Sequence, residues 1–299
     1  MTLQQLKYVV TVAECGNITE AAKLLFVSQP TVTSAIHDLE KEMQIVIFIR
    51  TNKGVILSED GERFLGHARQ VLEQVDLIEG IYKDNVVSKP HFAVSCQHYS
   101  FAVNAFVDVI RRFDAYQYDF TIREEQTHEI IEDVTNLKSE LGVIYLSSKN
   151  TEVLSKLLKR NELEFTELFT ATPHVFICDS HPLALKKSIT MDDLQAYPYL
   201  TYEQGEYNSQ YFSEEFVSTL DSRKNIRVRD RATLFNLIIG LNGYTVCSGV
   251  ISAELNGRNI ISKPLDVEEY MRIGIISRKG VVLSRYAREY IEALKAHCM

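Results

Sequence analysis

The sequence predicts a small helical domain with a two-stranded β wing, then a long linking helix, then an α/β domain of two lobes. Three observations carry this. Apolar residues recur at helical spacing through residues 3–39, interrupted by turn signals. One apolar stripe (Phe64, Ala68, Val71, Val75, Ile78, Tyr82) advances in alternating steps of four and three. From His91 onward, strand-like and helix-periodic segments alternate, which means sheets covered by helices.

Leu3, Leu6, Val9, Val10 and Ala13 form the first helix, and Cys15-Gly16 ends it. Asn17 reads as the next N-cap, with Glu20 completing a capping box before Ala21, Ala22, Leu24 and Leu25. Ser28 caps a third helix whose first turn accepts Pro30, because the missing N–H is unneeded there. Its buried stripe is Val32, Ala35, Ile36 and Leu39. Two short helices meeting at Phe26-Val27-Ser28 make a helix-turn-helix pattern. Ile45–Ile49 reads as a strand, Arg50–Gly54 as a polar turn and Val55–Leu57 as the return strand. Ser58 then caps a helix of some 25 residues, with acids in its first turn where the helix dipole favours them. Its stripe needs a partner, either its own domain or, as the coiled-coil spacing favours, a second copy of the chain.

Beyond a hinge at Asp84–Pro90, HFAVSCQ, DFTIREE and LGVIYL are strands separated by helices at SFAVNAFVDVIRRF and from Thr127 to about Lys138. After Glu162 come one long strand through ELFTATPHVFICD, a helix at MDDLQAY, PYLTY, a helix near Asn208–Leu220 and NIRVRD. A helix from Ala232, then YTVCSG, ISKPL, YMRIGIISRKG and a last amphipathic helix close the chain. The alternation implies mostly parallel sheets in two groups with a cleft between them. The resulting boundaries are 1–58, 59–89 for the linker helix and hinge, and 90–299. Within the last, lobe I is 90–161 plus 267–299 and lobe II is 162–266.

Composition narrows the function. The net charge is −8, and residues 1–58 balance five basic against five acidic groups. Any nucleic-acid binding must therefore come from where charges sit. The five cysteines show no CxxC pair or zinc-like spacing. With no signal peptide at the N-terminus and no run long enough for a membrane span, a reducing cytoplasm is expected. No metal, cofactor or membrane partner is expected.

The runs AAKLLFVSQPTVTSAIHDLE, FIRTNKGVILSEDG, HPLA (181–184) and DDLQAYPYL resemble those of LysR-type transcriptional regulators. The resemblance spans nearly the whole chain and is most specific over residues 1–65. It implies a winged helix-turn-helix, a dimerising linker helix and a two-lobed effector domain like periplasmic binding proteins. It also implies a tetramer and a small inducer held between the lobes. This chain departs from the family pattern in three places. No base follows Thr33-Ser34 until Lys41, Gln44 replaces the usual glycine after the third helix, and Gly142 falls near a usual aspartate.

A helix that enters the major groove needs short groups on its leading face. With Val32, Ile36 and Leu39 inward, Ser28, Gln29, Pro30, Thr31, Thr33, Ser34 and His37 lie outward. Gln29 suits a bidentate contact with adenine, and Pro30 and the threonine methyls suit a thymine methyl. Arg50, Asn52 and Lys53 at the wing suit phosphates or the minor groove of double-stranded DNA. Arg50 alternatively ties the wing to the bundle by an ion pair.

In open α/β sheets ligands sit beyond the carboxyl ends of strands. Here those ends carry Ser95, Gln97, His98, Tyr99 and Ser100, then Thr127, then Tyr145. In the other lobe they carry Thr201, Tyr202, Cys247 and Ser248. The set suits a small polar or carboxylate effector, and the free N–H groups of the helix from Ser100 form an anion site. HPLA reads as a surface turn. The leading function is thus an effector-switched DNA-binding regulator, not an enzyme. One alternative is a redox sensor using Cys96 and Cys247. The other is an α/β enzyme or binding protein with an inert N-terminal bundle, against which no GxSxG, P-loop or GxGxxG occurs.

Overall fold

A computed structural model describes residues 1–52, 54–82, 90–113, 117–205, 211–215, 224–251 and 259–298. They form two compact units. The first is residues 1–91 with the short segments 116–119 and 136–138, and the second is the remainder.

The first unit runs α1 (Leu3–Cys15), α2 (Ile18–Leu24), α3 (Gln29–Met43), β1 (Phe48–Thr51), β2 (Gly54–Leu57) and α4 (Glu59–Tyr82). Val9, Val12, Ala21, Val32, Leu39 and Ile47 are its fully buried centre. Asn17 caps α2 by accepting from the Thr19 and Glu20 N–H groups, but the Glu20 carboxylate turns to Lys23 Nζ at 2.9 Å. Gln44 ends α3 in the left-handed region at φ 56°. The first wing strand begins at Phe48 rather than Ile45. The N–H groups of Ile47 and Phe48 donate to Glu40, and Val46 O accepts from the Ser58 hydroxyl, so residues 45–47 are held without a partner strand. Gly54 has φ 139°, and a Cβ there would collide with the Gly16 carbonyl oxygen, which accepts from Val55 N–H. Only glycine lets the wing turn back onto the α1–α2 corner.

The second unit contains a five-stranded sheet ordered β4-β3-β5-β12-β6. Its strands are β3 (His91–Cys96), β4 (Asp119–Glu124), β5 (Leu141–Leu146), β6 (Leu163–Ala171) and β12 (Met271–Arg278). Helices α5 (Ser100–Phe113), α6 (Thr127–Thr135), α7 (Thr151–Arg160) and α10 (Arg285–Cys298) accompany it. A second sheet has β7 (His174–Cys178) between β10 (Thr245–Cys247) and β11 (Ile260–Pro264). Beside it lie the parallel pair β8 (Tyr199–Tyr202) and β9 (Asn225–Val228), the single turn α8 (Met191–Leu194) and α9 (Arg231–Leu241).

Several expectations are corrected. The long strand through ELFTATPHVFICD is two strands, and β6 belongs to the first sheet while β7 belongs to the second. The chain thus passes from one sheet to the other at Thr172–Pro173, where proline removes a ladder donor. The sheets are mixed: β12 runs antiparallel to both β5 and β6, and β7 is antiparallel to both its neighbours. The chain returns from the second lobe in the opposite direction, so β12 cannot extend a parallel ladder. Of the helix expected near Asn208–Leu220, residues 206–210 and 216–220 lie outside the described residues, and 211–215 are turn and bend. His181 is buried, not superficial. Its Nδ1 accepts from Leu183 N–H at 3.0 Å and its Nε2 donates to Asn242 O at 3.1 Å, which fixes the turn.

Gly142 is closely packed within β5. A Cβ there would lie 2.6 Å from Ile276 Cγ1 and 2.7 Å from Ile130 Cγ2. Overpacking of this kind costs about 1–3 kcal/mol. Gly142→Ala is expected to lose that much in urea denaturation, and an unchanged midpoint would contradict the packing.

Candidate functional site

Two places gather the predicted residues. In the first unit, Ser28, Gln29, Pro30, Thr31, Ser34 and His37 are exposed along α3, and Thr33 is half-buried. Ser28 caps the helix through Thr31 N–H at 3.3 Å, and the two hydroxyls lie 2.7 Å apart. Gln29 Nε2 reaches forward to Thr33 Oγ1 at 3.4 Å, a long contact that leaves its amide free to turn outward. Arg50 and Asn52 are exposed on the wing, and Lys53 lies outside the described residues. Among the described residues Arg50 forms no ion pair, so the wing is not tied to the bundle that way. A concavity of ≈ 370 Å³ separates α3 from the wing, lined by Thr33, Ser34, His37, Arg50 and others.

Glu40 is a positioning residue that the sequence did not reveal. Its Oε1 accepts from the N–H groups of Ile47 at 2.7 Å and Phe48 at 3.1 Å, which sets the wing against α3. Each N–H left without an acceptor costs about 1–3 kcal/mol when buried. Glu40→Ala is expected to lose about 1–3 kcal/mol in denaturation and to weaken any DNA complex, while Glu40→Gln retains most of both. Equal behaviour of Ala and Gln variants would contradict this role.

In the second unit, His98, Tyr99, Ser100, Tyr202, Cys247 and Ser248 line one pocket. Phe176, Phe235, Leu234, Val246 and Val250 supply its apolar wall. The cavity is only ≈ 30 Å³, and Glu214 and Glu215 form part of its lining. The N–H and Nδ1 of His98 meet Glu214 Oε2 at 3.0 and 2.8 Å, and His98 Nε2 meets Arg229 O at 3.1 Å. Both ring nitrogens face acceptors, which the imidazolium satisfies. Burial by itself lowers the His98 pKa, but the Glu214 carboxylate outweighs it and holds the value above the ordinary one. The ring stacks on Tyr202 at 3.8 Å and 6°.

Other strand-end residues join the lobes from beside the pocket. Gln97 Nε2 donates to Thr127 Oγ1 at 2.6 Å, and its Oε1 accepts from Tyr99 O–H and Tyr145 N–H, both at 3.1 Å. Thr127 donates its N–H to Gln204 Oε1 at 3.2 Å and its hydroxyl to Phe212 O at 2.8 Å. Tyr145 O–H donates to Ser213 O at 3.0 Å. Ser95 and Thr201 also lie outside the pocket lining. Ser95 is fully buried inside lobe I, hydrogen-bonded to Asp133 and Ser139 at 2.8 Å each. Thr201 is absent from the pocket lining, because neighbours on a strand face opposite sides and Tyr202 takes the inner one.

The sequence reading missed Glu214, Glu215 and Arg231 in the lining, and Glu124, which pairs with Arg231 at 3.0 Å. Glu124 and Arg231 sit just where β4 ends and where α9 begins after β9, so the strand-end rule could have found them. Glu215 accepts from Tyr202 N–H at 2.6 Å and from the Ser213 hydroxyl at 2.9 Å. Burial, and then the neighbouring Glu214, push its carboxyl up to about 8 against those hydrogen bonds. Burial also pushes the Cys96 and Cys247 thiols well above their ordinary value. Both are thereby held as thiols, the poorly nucleophilic form, which disfavours the redox reading.

Known proteins share this architecture. A family profile described as bacterial regulatory helix-turn-helix protein, lysR family, matches residues 3–62, and the LysR substrate binding domain matches residues 95–299. The uncharacterized HTH-type transcriptional regulator YbhD of Escherichia coli strain K12 is 27% identical, over 98% of this chain and 90% of its own. YvbU, an uncharacterized HTH-type transcriptional regulator of Bacillus subtilis strain 168, is 27% identical over 99% and 98%. A full-length OxyR variant from Pseudomonas aeruginosa superposes with a TM-score of 0.64 at 22% identity, covering 99% and 98% of the two chains. At that identity the likeness speaks for the fold alone. Among the described residues, no helix is long and apolar enough to cross a membrane.

Proposed function

Because the chain belongs to the LysR family of bacterial DNA-binding transcriptional regulators with an effector-binding domain, we propose that it reads a specific operator through α3 and the wing. A small polar effector between the two lobes governs its activity, and the protein acts without catalysis in the cytoplasm. The observation that carries this is the exposed face of α3. From Ser28 to His37 its outward groups are short or uncharged, beside a concavity bounded by the wing. Such a face lets the helix backbone approach base edges, and Arg50 and Lys53 meet phosphates.

Self-association is part of the reading. Val71 and Ile78 are 41% and 58% exposed on α4, in the seam that coiled-coil spacing predicts. A second copy pairing along residues 59–84 covers them, and two such dimers form the tetramer. The effector must favour one lobe arrangement over the other, or no signal passes.

An electrophoretic shift with the DNA upstream of the protein's own gene tests the reading. Gln29→Ala is expected to lose preference for that DNA over a scrambled duplex, by about 1–3 kcal/mol or roughly 5–150-fold. Lys53→Ala is expected to weaken both complexes alike and to reduce the salt slope by about one. A Gln29→Ala protein that still discriminates fully would remove Gln29 from base reading.

A further inference from the structure

At the first strand end a carboxylate of the chain itself, Glu214, lies on the N–H and ring of His98, and not on the free N–H groups of α5. Residues 212–214 each contact the opposite lobe: Phe212 O accepts from Thr127, Ser213 O from Tyr145, and Glu214 from His98. Three consecutive residues of the second lobe thus meet the carboxyl ends or following turns of three strands of the first. Ser213, Glu214 and Glu215 are 8%, 7% and 2% exposed, a depth ordinary loops of this polarity do not reach.

Glu214 is also held from its own lobe, where Gln204 Nε2 donates to Oε1 at 3.3 Å. The carboxylate therefore has two partners on Oε2 and one on Oε1. Thr245, also in the pocket lining, is 4% exposed and its hydroxyl has no partner among the described residues. A polar group left open beside a filled anion site marks a pocket shaped for more than the segment now in it.

On the reading that this pocket is the effector site, we propose that Glu214 is a resident ligand of its carboxylate subsite, holding the lobes together in place of a small monocarboxylate. An incoming carboxylate then acts by competition: it takes the His98 N–H and imidazolium, and segment 211–215 is released. The subsite takes a single carboxylate, since one Oε2 serves both His98 donors.

The test uses the full chain without DNA. Unfolding temperatures are measured by calorimetry for the parent, Glu214→Ala and Glu214→Gln at pH 7, in sodium chloride or sodium propionate of equal ionic strength. Glu214→Ala is expected to unfold several degrees lower in chloride and to recover about 3 °C in 0.2 M propionate. In the parent, where the tethered Glu214 competes at high effective concentration, the response to propionate is expected to be much smaller than in Glu214→Ala. Glu214→Gln fills the space without the charge and is expected to gain nothing from propionate. Recovery in the parent as large as in Glu214→Ala, or none in Glu214→Ala, overturns the proposal. If Glu214→Ala does not fold in either salt, amide exchange at residues 97–103 decides with Glu214→Gln: about tenfold faster exchange supports the latch, and unchanged exchange overturns it. None of these readouts involves DNA, so a failure of the regulator reading leaves them intact and is seen separately in the shift assay.

Discussion

Replacing His98 with alanine is expected to destabilise the second unit by about 3–5 kcal/mol, the cost of leaving a buried charge without its partner. The side chains of His98 and Glu214 are 4% and 5% exposed, so solvent screens the pair little. The ring also donates to Arg229 O and stacks on Tyr202, a contact worth about 0.5–1.5 kcal/mol beyond its area. A typical domain is stable by only about 5–15 kcal/mol, so this one change removes a large share. His98→Gln keeps one donor and is expected to fall between alanine and parent. Urea denaturation gives the energies, and amide exchange across residues 97–103 reports whether the lobes part. A loss under about 1 kcal/mol in His98→Ala would show that the pair does not hold them.

The second large effect is in pH. The Glu215 carboxyl is pushed up to about 8 in the folded chain, from an ordinary value of 4.5. Between those values the folded state binds the proton that the unfolded state has released. Stability contributed by the protonated form is complete below pH 4.5 and is lost as pH rises toward about 8, after which the profile flattens. His98, also raised, adds loss of the same sign, beginning above its ordinary 6.5. The groups facing Glu215 are Glu214, Ser213 and Tyr202, with Tyr145 and Tyr199 close enough to feel its charge. Together they predict a unit that loosens by a few kcal/mol between about pH 4.5 and about pH 8, the His98 part falling above 6.5. Glu215→Gln keeps an acceptor for Tyr202 N–H and has no proton to lose. It is expected to lie above the parent at pH 9 and to flatten the profile, with the His98 part remaining. Parallel profiles for parent and variant would contradict burial of an ionisable Glu215.

Much of the first unit was legible because its signals are local. Ser28 with Pro30 two residues on, and the stripe Val32, Ile36 and Leu39, fix α3 without reference to anything distant. The start of β1 was not legible, because the acceptor for Ile47 and Phe48 is Glu40, in another element. The break at Thr172–Pro173 was visible in the proline but was overridden by the apolar run around it. Helix α7 was passed over although Leu154 and Leu158, both buried, stand at helical spacing. In the pocket, the strand-end rule found His98, Tyr202 and Cys247. It misplaced Ser95, whose hydroxyl is satisfied by Asp133, 38 residues away. Residues 211–215 could not be read from sequence: their conformation follows from donors on Thr127, Tyr145 and His98, and no local pattern announces it.

The entry of α3 into a DNA groove is tested most directly by amide exchange of the full chain bound to its own upstream DNA and, separately, to a scrambled duplex of equal length. Exchange at residues 29–37 is predicted to slow on the upstream DNA and much less on the scrambled one, because only a correctly docked helix meets base edges throughout. Equal exchange at those residues with and without bound upstream DNA would contradict it, since a helix pressed against base pairs cannot stay as open to water as a free one.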